Sequence, residues 1–281
     1  MTKVKDLTQQ LMFRAGDKVA DIDASATPGF KGAKADAVKL LDERMTRLAE
    51  LQEMLYANYK AADETRSVLL VLQGMDAAGK GGIVKHVVGS VNPMGVRYTA
   101  FGVPTEEERK HHYLWRIRRA LPPAGHIGVF DRSHYEDVLI VRVHNLVPPE
   151  VWAKRYDEIN RFEKKLVDSG VAIIKVAMFV SLDEQKKQLL ERLEDPTKYW
   201  KYNPGDIDER KMWPKYQEAY QAVLDRTSTD YAPWYVVPCD RRWYSRLAAT
   251  ELLINTLEGF KLSWPPADFD VEAEKKRLAE A

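Results

Sequence analysis

SVLLVLQGMDAAGKGG, residues 67–82, decides the fold. Its first half, Val68 to Leu72, is a short unbroken apolar run, as in a strand buried on both faces of a parallel sheet. Its second half, Gly74-Met75-Asp76-Ala77-Ala78-Gly79-Lys80-Gly81-Gly82, has the GxxxxGK spacing of a phosphate-cradling loop set between strand and helix. The glycines let backbone N–H groups turn inward as an anion nest. The following helix adds the partial positive charge of its N-terminus, and Lys80 reaches the outer phosphate oxygens. A plain glycine-rich turn explains the spacing but not the flanking elements. Where such loops usually carry the Ser or Thr that binds Mg²⁺, this chain has Gly81. Asp76, inside the loop, offers a carboxylate oxygen instead, the donor type hard cations prefer.

Outward from this loop the pattern alternates. Helix 82–91 is followed by a strand at 96–102 and a helix at 105–120, opened by Thr105 with acidic residues in its first turn and ended by Pro122 and Pro123. A strand at 126–131, a helix at 149–170, a strand at 172–181, a helix at 182–195, a strand at 234–239 and a helix at 241–260 complete the series. Upstream, Val38, Leu41, Met45, Leu48, Leu51 and Leu55 mark an amphipathic helix over 35–62. Strand–helix alternation predicts an α/β fold with a parallel sheet flanked by helices. Residues 1–34, with Gly16, Pro28, Gly29 and Gly32, read as an arm of little regular structure, 35–262 as one domain and 263–281 as a charged tail. The polar and aromatic stretch 194–213 interrupts the alternation and reads as part of a mobile lid spanning about 186–213.

Composition narrows the function classes. The 281 residues hold 43 Lys and Arg against 42 Asp and Glu, a net charge of +1. That balance argues against a bulk nucleic-acid binder, which shows a basic excess. Cys239 is the single cysteine, so an internal disulfide and a multi-cysteine zinc site are excluded. The N-terminal stretch lacks an apolar signal core, and the richest apolar run, 172–180, is too short to span a bilayer. The expectation is a cytoplasmic protein with no membrane contact.

A second acidic strand end lies in IGVFDRSHYEDV, 127–138. Asp131 closes the apolar strand where phosphate-loop proteins place an acid for Mg²⁺, although an acid there also serves as a helix cap. Arg132 can clamp a phosphoryl group bidentately or form a surface ion pair. Ser133, His134, Tyr135 and Glu136 follow at the same mouth and are candidate nucleotide contacts. His134 reads equally as a hydrogen-bonded structural histidine. Arg109, Lys110, His111, His112, Arg116, Arg118 and Arg119 crowd the helix 105–120, and helical spacing puts Arg109, Arg116 and Arg119 on one stripe. This is either a solvated face or a track for a long polyanion. Lys186, Lys187, Arg192, Lys198, Lys201, Arg210 and Lys211 flank the lid. Lids of phosphoryl-transfer enzymes bring cations onto the transferring group, and Arg192 is the leading candidate. Trp200 and Trp213 read as packing anchors.

GMDAAGKGG, FDRSHYEDV, DPTKYWKYNPGD and MWPKYQEAYQAVLDRTSTDYAPWYVVP, in this order over roughly 35–262, resemble the polyphosphate kinase 2 family. The resemblance implies a P-loop kinase fold similar to thymidylate kinase, with a helical lid. It implies a cytoplasmic, Mg²⁺-dependent enzyme (Mn²⁺ being the alternative metal) that transfers the terminal phosphoryl group of inorganic polyphosphate reversibly to adenine or guanine nucleotides. Position by position, Lys80 holds the transferred phosphate, Asp76 and Asp131 hold the metal, and Arg132 and Arg192 stabilise the phosphoryl group. Gly74, Ala77, Ala78, Gly79, Gly81, Gly82 and Lys85 belong to the phosphate site, with Arg109, Arg116, Lys198 and Lys201 toward the polyphosphate. Gly81 is the family's own pattern. HYEDV resembles the branch that accepts AMP as well as ADP. Dimers or tetramers are expected, with helix 35–62 as an interface. The competing reading is an ATP-dependent nucleoside or nucleotide kinase of the thymidylate-kinase type.

Overall fold

The computed structural model describes residues 7–281. Its elements are α1 (Leu7–Leu11), α2 (Lys34–Ala61), β1 (Ser67–Gly74), α3 (Lys80–His86), β2 (Val96–Ala100), α4 (Glu106–Arg109), α5 (Leu114–Ala120), β3 (Ile127–Asp131), α6 (Ile140–Val143), α7 (Pro149–Asp168), β4 (Val171–Phe179), α8 (Leu182–Glu194), α9 (Gly205–Lys211), α10 (Trp213–Thr227), β5 (Trp234–Pro238), α11 (Arg242–Gly259) and α12 (Val271–Ala279). The five strands form one parallel sheet in the order β2-β3-β1-β4-β5.

β1 sits at the centre with every residue buried. Val68, Leu70 and Leu72 pack on the layer that contains α2, α3 and α11, while Leu69 and Val71 pack on the layer with α5, α7 and α10. That period of two is what a strand sandwiched between helices requires. Each such side chain contributes about 1.5–3 kcal/mol by leaving water. The apolar stripe of α2 is spent on this core through Leu41, Leu48, Leu51 and Leu55, which leaves Val38 exposed.

The chain passes from β1 over β3 to β2, then returns, and β4 lies on the other side of β1. The carboxyl ends of β1 and β3 therefore lie side by side, with Leu72 opposite Asp131. Open parallel sheets bind ligands outside the strand ends at such a switch point.

Three local expectations change. The N-terminal arm is more integrated than its glycines and prolines suggest. Leu7, Leu11, Phe13, Val19 and Phe30 are buried. The Phe13 N–H donates to Trp234 O at 2.8 Å and Met12 bridges Tyr235, so the arm covers the edge of β5; an open edge invites pairing with other chains. The helix expected at 82–91 begins at Lys80, ends at His86 and is continued by a 3₁₀ turn at Val88–Ser90. The helix expected at 105–120 is two helices. Thr105 and Glu108 close a reciprocal cap on α4, whose residues are all unburied, whereas α5 buries Leu114, Ile117 and Ala120. Nothing apolar holds α4 in line with α5, and the chain turns between them. The stripe linking Arg109 to Arg116 is therefore not a single helical face. Among the described residues no helix is long and apolar enough to cross a membrane.

Candidate active site

The loop after β1 is held in a strained shape. Ala77 has φ 63° and Gly79 φ 105°; for alanine the left-handed region is costly. Arg242, at the start of α11, stabilises that shape. Its Nη2 donates to Ala77 O at 2.6 Å and its Nη1 to Ala78 O at 2.5 Å. Lys80 opens α3 and is only 8% exposed. Its Nζ donates to Gly74 O at 2.7 Å and Met75 O at 3.3 Å. Burial pushes its ammonium below the ordinary lysine value, while Asp76, Asp131 and Glu136 act against that and Arg132 adds to it. This buried cation lies among carboxylates but forms no ion pair of its own among the described residues.

The second wall starts where β3 ends. Arg132 has φ 63°, and its Nη2 meets Asp76 Oδ1 at 2.7 Å. Burial disfavours the guanidinium charge, but Glu136 and Asp76 more than compensate and raise its pKa. Tyr98 OH reaches Asp131 Oδ2 only at 3.5 Å. Beneath them runs a buried relay. Ser133 Oγ donates to Gln73 Oε1 at 3.0 Å, and Gln73 Nε2 donates to Glu136 Oε1 at 2.9 Å. Burial pushes the Glu136 carboxyl up, with Arg132 opposing. Sequence reading missed Gln73, although a polar residue in an apolar buried strand was a visible signal.

The stretch 186–213, expected to form a lid, comprises most of α8, a 3₁₀ turn at Pro196–Lys201, α9 and the first residue of α10. Gln185 Nε2 donates to Asp76 O at 3.0 Å, which ties α8 to the phosphate loop. Arg210 Nη1 donates to Leu182 O at 2.6 Å and Gln185 Oε1 at 3.0 Å. Arg192 Nη1 donates to Asp206 Oδ2 and to Lys201 O, both at 3.1 Å. Burial, helped by the charge of Asp76, pushes the Asp206 carboxyl up. Glu209 accepts from Tyr216 OH at 2.6 Å and lies 2.9 Å from His144 Nε2. These elements enclose a cleft of ≈ 220 Å³ whose walls include Asp76, Arg132, Glu136, Asp206 and Glu209.

Lys80, Asp76, Asp131, Arg132 and Glu136 are thus brought together around the phosphate loop. Other expected site residues lie elsewhere. His134 and Tyr135 are buried below the cleft and do not line it. Glu163 Oε1 accepts from Tyr135 OH at 2.7 Å and lies 3.2 Å from His134 Nε2. Lys175 Nζ donates to Glu163 Oε2 at 2.7 Å, Thr227 O at 2.6 Å and Tyr135 OH at 3.0 Å. The 3₁₀ turn at His134–Asp137 directs the two rings inward. Ser133 is equally buried, and of this segment only Arg132, Glu136, Leu139 and Ile140 reach the cleft. Arg116 is 8% exposed, donates to Gly102 O at 2.9 Å and lies over the Phe101 ring. It borders a separate cleft of ≈ 350 Å³ with Arg97 and Arg119. Arg109 and Lys85 are exposed on α4 and α3. Lys198 is drawn to Asp195 at 3.2 Å, and Lys201 lies over Trp200. Trp200 is 79% exposed and is not a packing anchor, whereas Trp213 packs on the core.

A strand–loop–helix phosphate cradle at a sheet switch point, with an acid on the adjoining strand and basic helices beside the cleft, defines a P-loop phosphotransferase. The family model of polyphosphate kinase 2 matches residues 33–263. An AMP/ADP-polyphosphate phosphotransferase of Meiothermus ruber is 47% identical over 243 residues, covering 86% of this chain and 89% of the relative. An ADP-polyphosphate phosphotransferase of Rhodopseudomonas palustris is 39% identical over 276 residues, 93% of each. The crystal structure of polyphosphate kinase 2 from Arthrobacter aurescens TC1 superimposes with a TM-score of 0.95 at 49% identity, over 98% of this chain and 97% of that one. The chain belongs to the polyphosphate kinase 2 family.

Proposed function

We propose that this enzyme transfers the terminal phosphoryl group of inorganic polyphosphate to ADP and AMP, reversibly and with Mg²⁺. The observation that carries the reading is Lys80, a buried cation that among the described residues is hydrogen-bonded only to the Gly74 and Met75 carbonyls. A phosphate entering the loop gives that ammonium the anionic partner it lacks, and the backbone N–H groups and the α3 N-terminus add to the attraction. The 47% identical relative is named for both acceptors and the 39% identical one for ADP alone, which supports a nucleotide acceptor in either case.

The acceptor's phosphate oxygen is already ionised near neutral pH, so the chain needs no strong base. Its work is positioning and charge neutralisation. The metaphosphate-like transition state spreads charge over the equatorial oxygens. Lys80 and Arg132 meet that charge from the loop and the β3 end. Arg192 joins them by exchanging Asp206 for a phosphoryl oxygen as the lid closes and excludes water. Glu136, fixed by Gln73, shapes the acceptor side. The donor set suits Mg²⁺. Asp76 and Asp131 supply hard carboxylate oxygens, and no group of three or more His, Cys, Asp or Glu cages a metal among the described residues. Mg²⁺ commonly takes one or two carboxylates and fills its shell with phosphate oxygens and water. When bound, it supplies further neutralisation of the phosphate charge.

The test is incubation with long-chain polyphosphate, Mg²⁺ and either AMP or ADP, with nucleotides separated by ion exchange. ADP and ATP formed from AMP support the full reading. Conversion of ADP alone removes AMP from it. Turnover that needs ATP as donor refutes the polyphosphate assignment.

A further inference from the structure

Gln185, in the first turn of α8, is a polar side chain with 1% exposure. Both ends of its amide are bonded, and to different parts of the molecule. Its Nε2 donates to Asp76 O in the phosphate loop at 3.0 Å. Its Oε1 accepts from Arg210 Nη1 on α9 at 3.0 Å. A guanidinium only donates, so this contact fixes which way the amide points: oxygen to Arg210, NH₂ to the loop. The same Arg210 nitrogen donates to Leu182 O at 2.6 Å, which aims the guanidinium. A relay of two hydrogen bonds thus runs from α9 to the backbone of Asp76, the residue whose carboxylate meets Arg132 at 2.7 Å. A side chain that only fastened α8 would need one of these bonds.

The opposite side of α9 faces the cleft. Asp206 and Glu209 are among the cleft walls. Asp206 accepts from Arg192 Nη1 at 3.1 Å. Glu209 accepts from Tyr216 OH at 2.6 Å and lies 2.9 Å from His144 Nε2, at the end of α6. Among the described residues α9 buries Asp206 alone, and its one large aliphatic side chain, Ile207, is exposed. Polar side-chain bonds, not apolar packing, therefore set where α9 sits. A helix held this way shifts at low cost when a ligand exchanges those partners. Asp206, Glu209 and Arg210 lie within little more than one helical turn, so they move together.

We propose that Gln185 and Arg210 are positioning residues that couple the two substrates. An acceptor nucleotide that engages the cleft side of α9 moves Arg210, and through Gln185 the Asp76 carbonyl, setting the phosphate loop for the donor. This rests on polyphosphate and a nucleotide sharing the cleft, as proposed above. Neither side chain touches the transferred group in this scheme.

The test is a grid of initial rates over long-chain polyphosphate and ADP concentrations. It is run on the wild type, Gln185→Met, Arg210→Met and the double variant. The grid yields the factor by which saturating ADP lowers the donor KM. In the wild type that factor is about fivefold or more, the lower end of ordinary coupling between sites. In each single variant it falls toward one. The double variant loses no more than either single one, because a relay cut twice is still one relay. A variant that merely folds less well loses rate equally at every substrate concentration and keeps the factor. Arg210 is partly exposed, and its substitution leaves the buried Gln185–Asp76 bond in place, so it reports even where Gln185→Met fails to fold. A wild-type factor near one, a factor kept in either folded variant, or additive losses in the double variant overturn the inference. A wild type that uses no polyphosphate at all refutes the proposed function itself, an outcome distinct from these.

Discussion

Two lysines are buried in this sheet and the loop that follows its central strand, and their surroundings differ. Lys175, on β4, is fully buried and saturated by a carboxylate, a phenol and a backbone carbonyl. Lys80, in the phosphate loop, is nearly as buried but among the described residues has only two carbonyls. A buried charge is expensive unless paired. Lys175 is paired within the fold and braces the 3₁₀ turn beneath the cleft. Lys80 lacks such a partner, and a phosphate is the partner its loop is shaped to admit. The difference separates the floor of the site, which is complete, from its mouth, which is not.

The largest effect that would sharpen this contrast is at Lys80. Lys80→Met should abolish polyphosphate-dependent nucleotide phosphorylation while leaving the circular dichroism spectrum and melting temperature essentially unchanged. Retained turnover, or loss of fold, would break the comparison on the mouth side. Arg132→Lys keeps a charge but loses the bidentate fork, and should lower kcat by about 10³-fold, the low end for an arginine that stabilises a phosphoryl group. A loss below tenfold would remove Arg132 from the transferring group.

On the floor side the readout is stability. Glu163→Gln leaves Lys175 without its counter-charge and should cost about 3–5 kcal/mol in denaturant unfolding, with turnover by the folded fraction largely kept. Burial works against the Glu163 charge, but Lys175 and His134 hold its carboxyl below the ordinary range. The stability this group contributes is therefore present above the ordinary carboxylate range and lost as pH falls through the lowered value. The wild type should weaken on acidification more than Glu163→Gln does, and parallel acid profiles would contradict the pairing. A smaller effect is expected at Asp76. Asp76→Asn should shift the Mg²⁺ titration of activity to higher concentration, and an unmoved midpoint would take Asp76 out of the metal site. The smallest concerns Cys239. Burial pushes its thiol up to about 12, so a thiol reagent at neutral pH should label it only after unfolding.

Much of the mouth was legible in the sequence because its residues are close in the chain or end a strand. Asp76 and Lys80 share one loop, and Asp131 and Arg132 close the strand that pairs with β1. The floor was less legible because its contacts are long-range. Glu163, Lys175 and Thr227 come from α7, β4 and the end of α10, and no spacing rule joins them. His134 and Tyr135 were read toward the mouth because they follow Arg132, yet a 3₁₀ turn sends them the other way. The single helix expected over 105–120 breaks for a different reason. Helical spacing holds only where buried residues keep one axis, and α4 buries none. Arg242 escaped notice because it reaches the phosphate loop from the far end of the chain.

Calorimetric titration of tripolyphosphate with Mg²⁺ into the wild type, Lys80→Met and Glu163→Gln, well below their melting temperatures, tests most directly whether the unpaired cation is the donor site. Binding should weaken strongly in Lys80→Met and stay near the wild-type affinity in Glu163→Gln. Equal binding by wild type and Lys80→Met would contradict it.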